Sequence, residues 1–384
     1  MHFEFATATR IVFGEGTVKE LASAAKSFGE RALVVLGKSD LRIAESIEQL
    51  KKEGLTLSLF HISGEPTVET VRSGLEQARI QHCDLVIGMG GGSVIDTGKA
   101  IAGLMSNPGE IYDYLEVVGK GKPLTNPSAP YIAIPTTAGT GSEVTRNAVI
   151  TVTDQRVKVS LRNPSMLPRV AIVDPELTYS LPPEITASTG LDALTQLIEP
   201  FLSNAANPMT DAICREGLLR AARSLRRAYE NGDDPHARQD MALASLFGGM
   251  ALANAKLGAV HGFAGPIGGM FPAPHGAVCA RLLPVVVEMN LNAIRDRAAQ
   301  RPDLERFTEM SRLLTSDPDS RAEDGIRWLH ELCAALNVPP LATYGVTKSD
   351  FPEIIAQAKK ASSMKGNPIE LMDVELNRIM ELAL

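Results

Sequence analysis

Apolar positions change their rhythm once along the chain. In the first half, short runs of β-branched and aliphatic residues alternate with stretches of helical period. "RALVVLG" (31–37), "LTLSLFH" (55–61), "CDLVIGMGGGS" (83–93), "YIAIPTT" (131–137) and "RVAIVDP" (169–175) predict strands. Residues 40–53, 67–80 and 94–105 predict helices between them. Strands alternating with helices build βαβ units and a parallel sheet. Past "LPPEITAST" (181–189), nearly every periodic stretch repeats at helical spacing: 186–202, 208–230, 236–257, 276–297, 303–316, 321–335 and 350–360. The pattern predicts an α/β domain over 1–181 and an all-helical domain over 182–384, with the boundary near Pro182.

Composition narrows the class. At 384 residues the chain has the capacity for two buried cores. A 44 % hydrophobic and 22 % charged content is that of an ordinary globular protein. The net charge of −7, with no basic stripe, disfavours nucleic acid or an anionic membrane as partner. No run of about 18 apolar residues appears, so no membrane span is predicted. The opening "MHFEFATATR" shows no secretory signal. The four cysteines, Cys83, Cys214, Cys279 and Cys333, are scattered without a CxxC pair and read as reduced thiols. These features predict a cytoplasmic enzyme.

The stretch "VIGMGGGSVIDTGKA" (86–100) follows a predicted strand and opens a predicted helix. Gly90, Gly91 and Gly92 let the backbone approach a ligand, and Ser93 with Asp96 is spaced as a capping box. A helix N-terminus suits a pyrophosphate. Neither G-x-G-x-x-G nor a Walker loop fits, because Ser93 and Ala100 stand where those motifs need Gly and Ser or Thr. A tight turn without a ligand is the competing reading. A second loop, "IPTTAGTGSEVTRNAVI" (134–150), brings Thr136, Thr137, Thr140 and Ser142 to the end of another strand. Two such loops at the carboxyl ends of parallel strands favour nucleotide binding.

In "GAVHGFAGPIGGMFPAPHGAVCA" (258–280), two of the seven histidines, His261 and His275, fall in His-Gly steps. On one continuous helix they would lie roughly 21 Å apart. A chain broken at the intervening glycines and prolines brings both to one point, and the pair then reads as a metal site. Either histidine alone reads as a helix-terminal residue bonded to backbone. In "STGLDALTQLIEPFLS" (188–203), Asp192 and Gln196 share a helical face. Glu199 is an equally available acid, and spacing does not choose between it and Asp192.

These motifs, in this order, resemble the iron-dependent (class III) alcohol dehydrogenase family over essentially the whole chain. The resemblance implies an α/β Rossmann-like N-terminal domain plus an all-α C-terminal domain (the dehydroquinate synthase-like, iron-containing alcohol dehydrogenase fold), a cleft between them and a homodimer. Carried over, the metal aspartate falls on Asp192 and the two histidines on His261 and His275, which form the catalytic set. The fourth ligand falls on Gln196, where the family usually has histidine, and an amide oxygen is the weaker ligand. The pyrophosphate loop falls on Gly90, Gly91, Gly92 and Ser93, and cofactor contacts on Thr136 and Thr137. Lys158 matches a lysine near the nicotinamide ribose. Gly265 stands where a histidine often lines the active site, which leaves any proton relay to water, substrate or another residue.

The implied activity is a metal-dependent NAD(P) oxidoreductase that interconverts a small alcohol and its aldehyde or ketone. Its divalent metal, Fe2+ or else Zn2+, polarises the substrate oxygen. Neighbouring readings are a maleylacetate reductase-like or hydroxyacid dehydrogenase activity, or a degenerate nucleotide binder with a weakened metal site. NAD-preferring members often carry an aspartate after the second strand. Here "VVLGKSD" offers Gly37, Lys38 and Ser39, which favours NADP over NAD, with Asp40 one turn further as the alternative acid.

Overall fold

Strands buried on both faces carry unbroken apolar runs, because each face needs cover. In the computed structural model, which describes residues 2–37, 43–298 and 303–384, Thr7–Thr137 and Gly141–Ser180 form one unit built on such strands. The unit's strands are β1 (Arg10–Phe13), β2 (Arg31–Leu36), β3 (Thr56–His61), β4 (Leu85–Gly90), β5 (Tyr131–Pro135), β6 (Asn147–Val152), β7 (Val157–Arg162) and β8 (Val170–Val173), of which β2, β4, β5 and β8 are the buried ones. Six make an all-parallel sheet in the order β1-β8-β5-β4-β2-β3, and β6 pairs with β7 as an antiparallel hairpin. The unit's helices are α1 (Leu21–Lys26), α2 (Ala44–Lys52), α3 (Val68–Ile80), α4 (Gly92–Met105) and α5 (Ile111–Tyr114). On β2, Leu33 and Val35 join one apolar cluster with Val71 of α3 and Ile101 of α4. Val34 and Leu36 join another with Leu21 of α1 and Leu50 of α2. Consecutive residues thus point to opposite covered faces, which is why "ALVVL" carries no polar position.

Three strands escape the sequence pattern. β1 is four residues long and largely half-buried, too short for a periodic signal. β6 and β7 lie outside the main sheet. β6 alternates buried and more exposed positions, and in the sequence its start merges with the polar loop before it.

The helical unit comprises Leu181–Leu384, Ala138–Thr140 and the residues before Thr7. Its helices are α6 (Pro183–Leu202), α7 (Pro208–Glu230), α8 (Pro235–Asn254), α9 (Ala259–Met270), α10 (His275–Ala298), α11 (Asp303–Thr315), α12 (Ala322–Ala335), α13 (Phe351–Ala358) and α14 (Asp373–Ala383). Pro183 begins α6, where a missing backbone N–H leaves no bond unmade. From Gly190 to Leu202 every α6 side chain is buried, polar ones included.

The stretch after His261 corrects an expectation. It is not broken throughout: α9 runs through its glycines and Pro266 to Met270, and the turn is confined to 271–274. Those glycines permit close packing. A Cβ on Gly262 would stand 2.8 Å from Met364 Cε. By length and hydropathy α10 passes as a membrane span, but 78 % of its apolar window is buried within the protein, as in a core helix.

Candidate metal centre and cofactor turn

Side chains from three helices meet inside the helical unit. α6 supplies Asp192, the first turn of α9 supplies His261, and α10 begins with His275. His261 Nε2 lies 3.5 Å from Asp192 Oδ1, and His275 Nε2 lies 3.8 Å from the same oxygen. The imidazole centroids are 5.4 Å apart. The glycine after His275 has a steric reason: a Cβ on Gly276 would stand 2.4 Å from the Ser188 carbonyl oxygen of α6. Only glycine lets α10 start so close to α6. Gly265 differs, since a Cβ there meets nothing within 4 Å.

The structure separates the two acids that spacing left equal. Glu199 Oε2 accepts from His261 Nδ1 at 2.6 Å, and Oε1 accepts from the Val260 N–H at 2.7 Å. A carboxylate behind an imidazole fixes its tautomer and turns the other nitrogen inward. Asp192 is the acid in front of both rings.

Cys279 was not anticipated in this cluster. Its Sγ lies 3.9 Å from His261 Nε2 and 3.7 Å from His275 Nε2. One ligand atom each from Asp192, His261, His275 and Cys279 falls within 4.8 Å of all the others. The available signal was its position, four residues after His275 on one helix, the spacing already noticed for Asp192 and Gln196.

Burial works to raise the Asp192 carboxyl, but the His275 and His261 imidazoles outweigh it and hold the group below its ordinary range. Burial works to lower both imidazoles. Cys279 and Glu199 hold His261 well above its usual value, and Cys279 and Asp192 raise His275. Even so, Asp192 Oδ1 and Gln196 Oε1 are buried with no hydrogen-bond partner among the described residues. A buried, unsatisfied acceptor costs about 1–3 kcal/mol. Imidazole nitrogens, a thiol and a bare carboxylate oxygen converging on one point suit a divalent transition metal.

In the α/β unit, the carboxyl end of β4 runs directly into α4. The capping expectation is corrected here: the cap is Gly91, with no side-chain cap bond, and Ser93 lies inside the first turn. Asp96 is drawn elsewhere, accepting from the Ser142 hydroxyl and, at 2.9 Å, from the Val149 N–H. The cause is Lys99, fully buried and 3.6 Å from Asp96. Its Nζ donates to Ser142 O, Ser142 Oγ, Thr145 Oγ1 and Asn147 O at 2.7–2.9 Å. This network fastens the loop after β5 to α4. The Thr136 N–H donates to Gly90 O at 2.9 Å, and a Cβ on Gly91 would stand 3.4 Å from Thr137 Cγ2. The two expected cofactor loops are therefore in contact. Gly37 follows β2, next to β4 in the sheet, while Lys38, Ser39 and Asp40 lie outside the described residues. Lys158 on β7 places Nζ 3.4 Å from Glu65.

Residues 8–175 match the family described as iron-containing alcohol dehydrogenase, and residues 186–384 match the C-terminal family of Fe-containing alcohol dehydrogenases. The chain is 36 % identical to 1,3-propanediol dehydrogenase of Citrobacter freundii, over 99 % of this chain and 98 % of that one. It is similar to the crystal structure of a 1,3-propanediol oxidoreductase with a TM-score of 0.93 and 34 % identity, covering 100 % of each chain. It also resembles sulfoacetaldehyde reductase from Bifidobacterium kashiwanohense in complex with NAD+, with a TM-score of 0.88, 29 % identity and coverage of 100 % and 99 %. The chain belongs to the iron-containing alcohol dehydrogenase family, whose members are metal-dependent, nicotinamide-linked oxidoreductases interconverting alcohols and carbonyl compounds.

Proposed function

We propose that Asp192, His261 and His275 hold a divalent metal, Fe2+ or Zn2+, and that Gly90, Gly91, Gly92, Ser93, Thr136 and Thr137 hold the dinucleotide. The substrate is a small primary alcohol or its aldehyde, a class supported by the similarity to 1,3-propanediol dehydrogenase. One observation carries this reading: both imidazoles point Nε2 at a buried Asp192 oxygen, in a cluster whose ligand atoms all lie within 4.8 Å of one another.

When bound, the metal supplies a Lewis acid for the substrate oxygen and the nicotinamide gives or takes the hydride. Glu199 accepts from His261 Nδ1 and turns Nε2 toward the cluster, and the Nε2 proton would leave as the metal binds. The first turn of α4 offers backbone N–H groups and the positive end of its dipole to the pyrophosphate. Asp96 acts on the cofactor through the loop it anchors, and Lys158 stands by the nicotinamide ribose. Gly37, Lys38 and Ser39 take the adenosine ribose, where a cation and a hydroxyl in place of an acid favour NADP over NAD. Four free thiols agree with a cytoplasmic location. We expect a homodimer, which light scattering tests.

The experiment is elemental analysis of anaerobically purified protein beside titration with NADH and NADPH. Near-stoichiometric metal, lost in Asp192→Ala while nucleotide binding persists, is the expected result. Nucleotide binding by wild-type protein that holds no metal even after reconstitution would overturn the reading.

A further inference from the structure

We propose that Cys279 is the fourth metal ligand of this chain, so that a thiolate completes the site with Asp192, His261 and His275 and the Gln196 amide does not. The assignment rests on the metal-site reading above and names a donor the family resemblance does not supply.

The first argument is metric. An ion about 2.0–2.1 Å from nitrogen or oxygen and about 2.3 Å from sulfur, in a tetrahedral arrangement, sets neighbouring ligand atoms roughly 3.3–3.6 Å apart. The carboxylate oxygen lies 3.5 and 3.8 Å from the two imidazole nitrogens, and the sulfur lies 3.9 and 3.7 Å from the same atoms. All four ligand atoms lie within 4.8 Å of one another, and the cluster contracts around the ion to reach the tetrahedral spacing.

The second argument is the burial of the acid. Asp192 is 1 % exposed, and its Oδ1 faces the cluster with no hydrogen-bond partner among the described residues. That oxygen, both imidazole nitrogens and the Cys279 sulfur face one point, within 4.8 Å of one another. Cys279 is fully buried against both imidazoles, one turn along α10 from His275, so its sulfur and the imidazole share a face.

Gln196 is the rival donor. Its Oε1 is also buried and unpartnered. Its side chain packs beside α8, with Cβ 3.1 Å and Oε1 3.5 Å from where a Cβ on Gly248 would stand. It also offers a neutral amide, a poorer donor than thiolate for Zn2+ or Cd2+. The thiol proton leaves to solvent as the ion binds. A sulfur ligand shifts the preference of the site toward those softer ions.

The test is zinc-edge X-ray absorption on the full-length, zinc-loaded protein. The expected result is one sulfur neighbour at about 2.3 Å. It is lost in Cys279→Ser and retained in Gln196→Ala. Loading with Co2+ gives a second readout, a sulfur-to-cobalt charge-transfer band present in wild type and Gln196→Ala and absent in Cys279→Ser. A wild-type site with only nitrogen and oxygen neighbours overturns the assignment and leaves the three-residue metal site standing. Wild-type protein that takes up neither metal overturns both. If circular dichroism shows Cys279→Ser unfolded, the wild-type spectrum still decides, because the other three cysteines lie outside the cluster.

Discussion

Two buried charged clusters, one in each unit, are built to opposite ends. Around Lys99, an ammonium with 0 % exposure has four oxygens within 2.7–2.9 Å, and Asp96 beside it accepts from a hydroxyl and a backbone N–H. Around Asp192, imidazoles and a thiol converge on a carboxylate oxygen that makes no hydrogen bond among the described residues. Buried polar groups are nearly always satisfied, so an unsatisfied one needs a reason. The Lys99 cluster is complete within its own chain and fastens the loop after β5 to α4. The Asp192 cluster leaves one acceptor without a hydrogen bond among the described residues. Burial and charge are common to both; satisfaction separates the structural cluster from the binding one.

The two clusters should therefore fail differently. Lys99→Met leaves Asp96 and several carbonyl and hydroxyl oxygens buried without a donor, and removing one partner of a buried pair costs about 3–5 kcal/mol. Denaturant unfolding should show that loss while metal content stays unchanged. A loss below about 1 kcal/mol would mean the ammonium fastens nothing.

Glu143, next in the same network, is pushed up to about 7 by burial, with Lys99 opposing. A carboxyl raised above its ordinary value of 4.5 contributes stability that is fully present below that pH and is lost as pH rises through about 7. Thermal melts across this window should slope downward with pH, and Glu143→Gln should flatten the slope.

In the Asp192 cluster, Gly276→Ala drives a Cβ into the Ser188 carbonyl, at an expected cost of about 1–3 kcal/mol. Metal occupancy should fall with it, because His275 moves with its neighbour. Glu199→Gln should weaken metal binding about 10–100-fold, read by calorimetric titration, with stability nearly unchanged. Unaltered affinity would show that His261 needs no carboxylate behind it. The smallest effect belongs to Gly265→Ala, which meets open space and should stabilise α9 by about 0.5–1 kcal/mol. A loss comparable to that of Gly276→Ala would mean that the glycines of the two helices are equivalent.

Much of the fold was legible because its signals are local. Runs such as "RALVVL" and "YIAIP" are apolar without alternation because helices cover both faces of their sheet. α7, α11 and α12 carry one apolar stripe each, so their periods are plain. α9 misled for the opposite reason. Its glycines and proline read as breakers, yet packing against Met364 makes a small side chain the requirement at Gly262. The cap at Gly91 was misread because Ser93 and Asp96 have capping-box spacing, while a buried lysine claimed the aspartate.

Sequence alone determined the identities and order of the chemical groups: a glycine turn after one strand, a Thr-rich loop after another, two His-Gly steps and an acidic helix. Motif and period are properties of neighbours along the chain, and these groups are near neighbours within their motifs. Only the tertiary structure decided that Glu199 stands behind His261 while Asp192 stands in front of both rings, that Asp96 serves Lys99 rather than a helix cap, and that Cys279 lies with the histidines. Each of those depends on helices or strands far apart in sequence approaching within a few ångströms, and no local pattern encodes which lone pair is left without a partner.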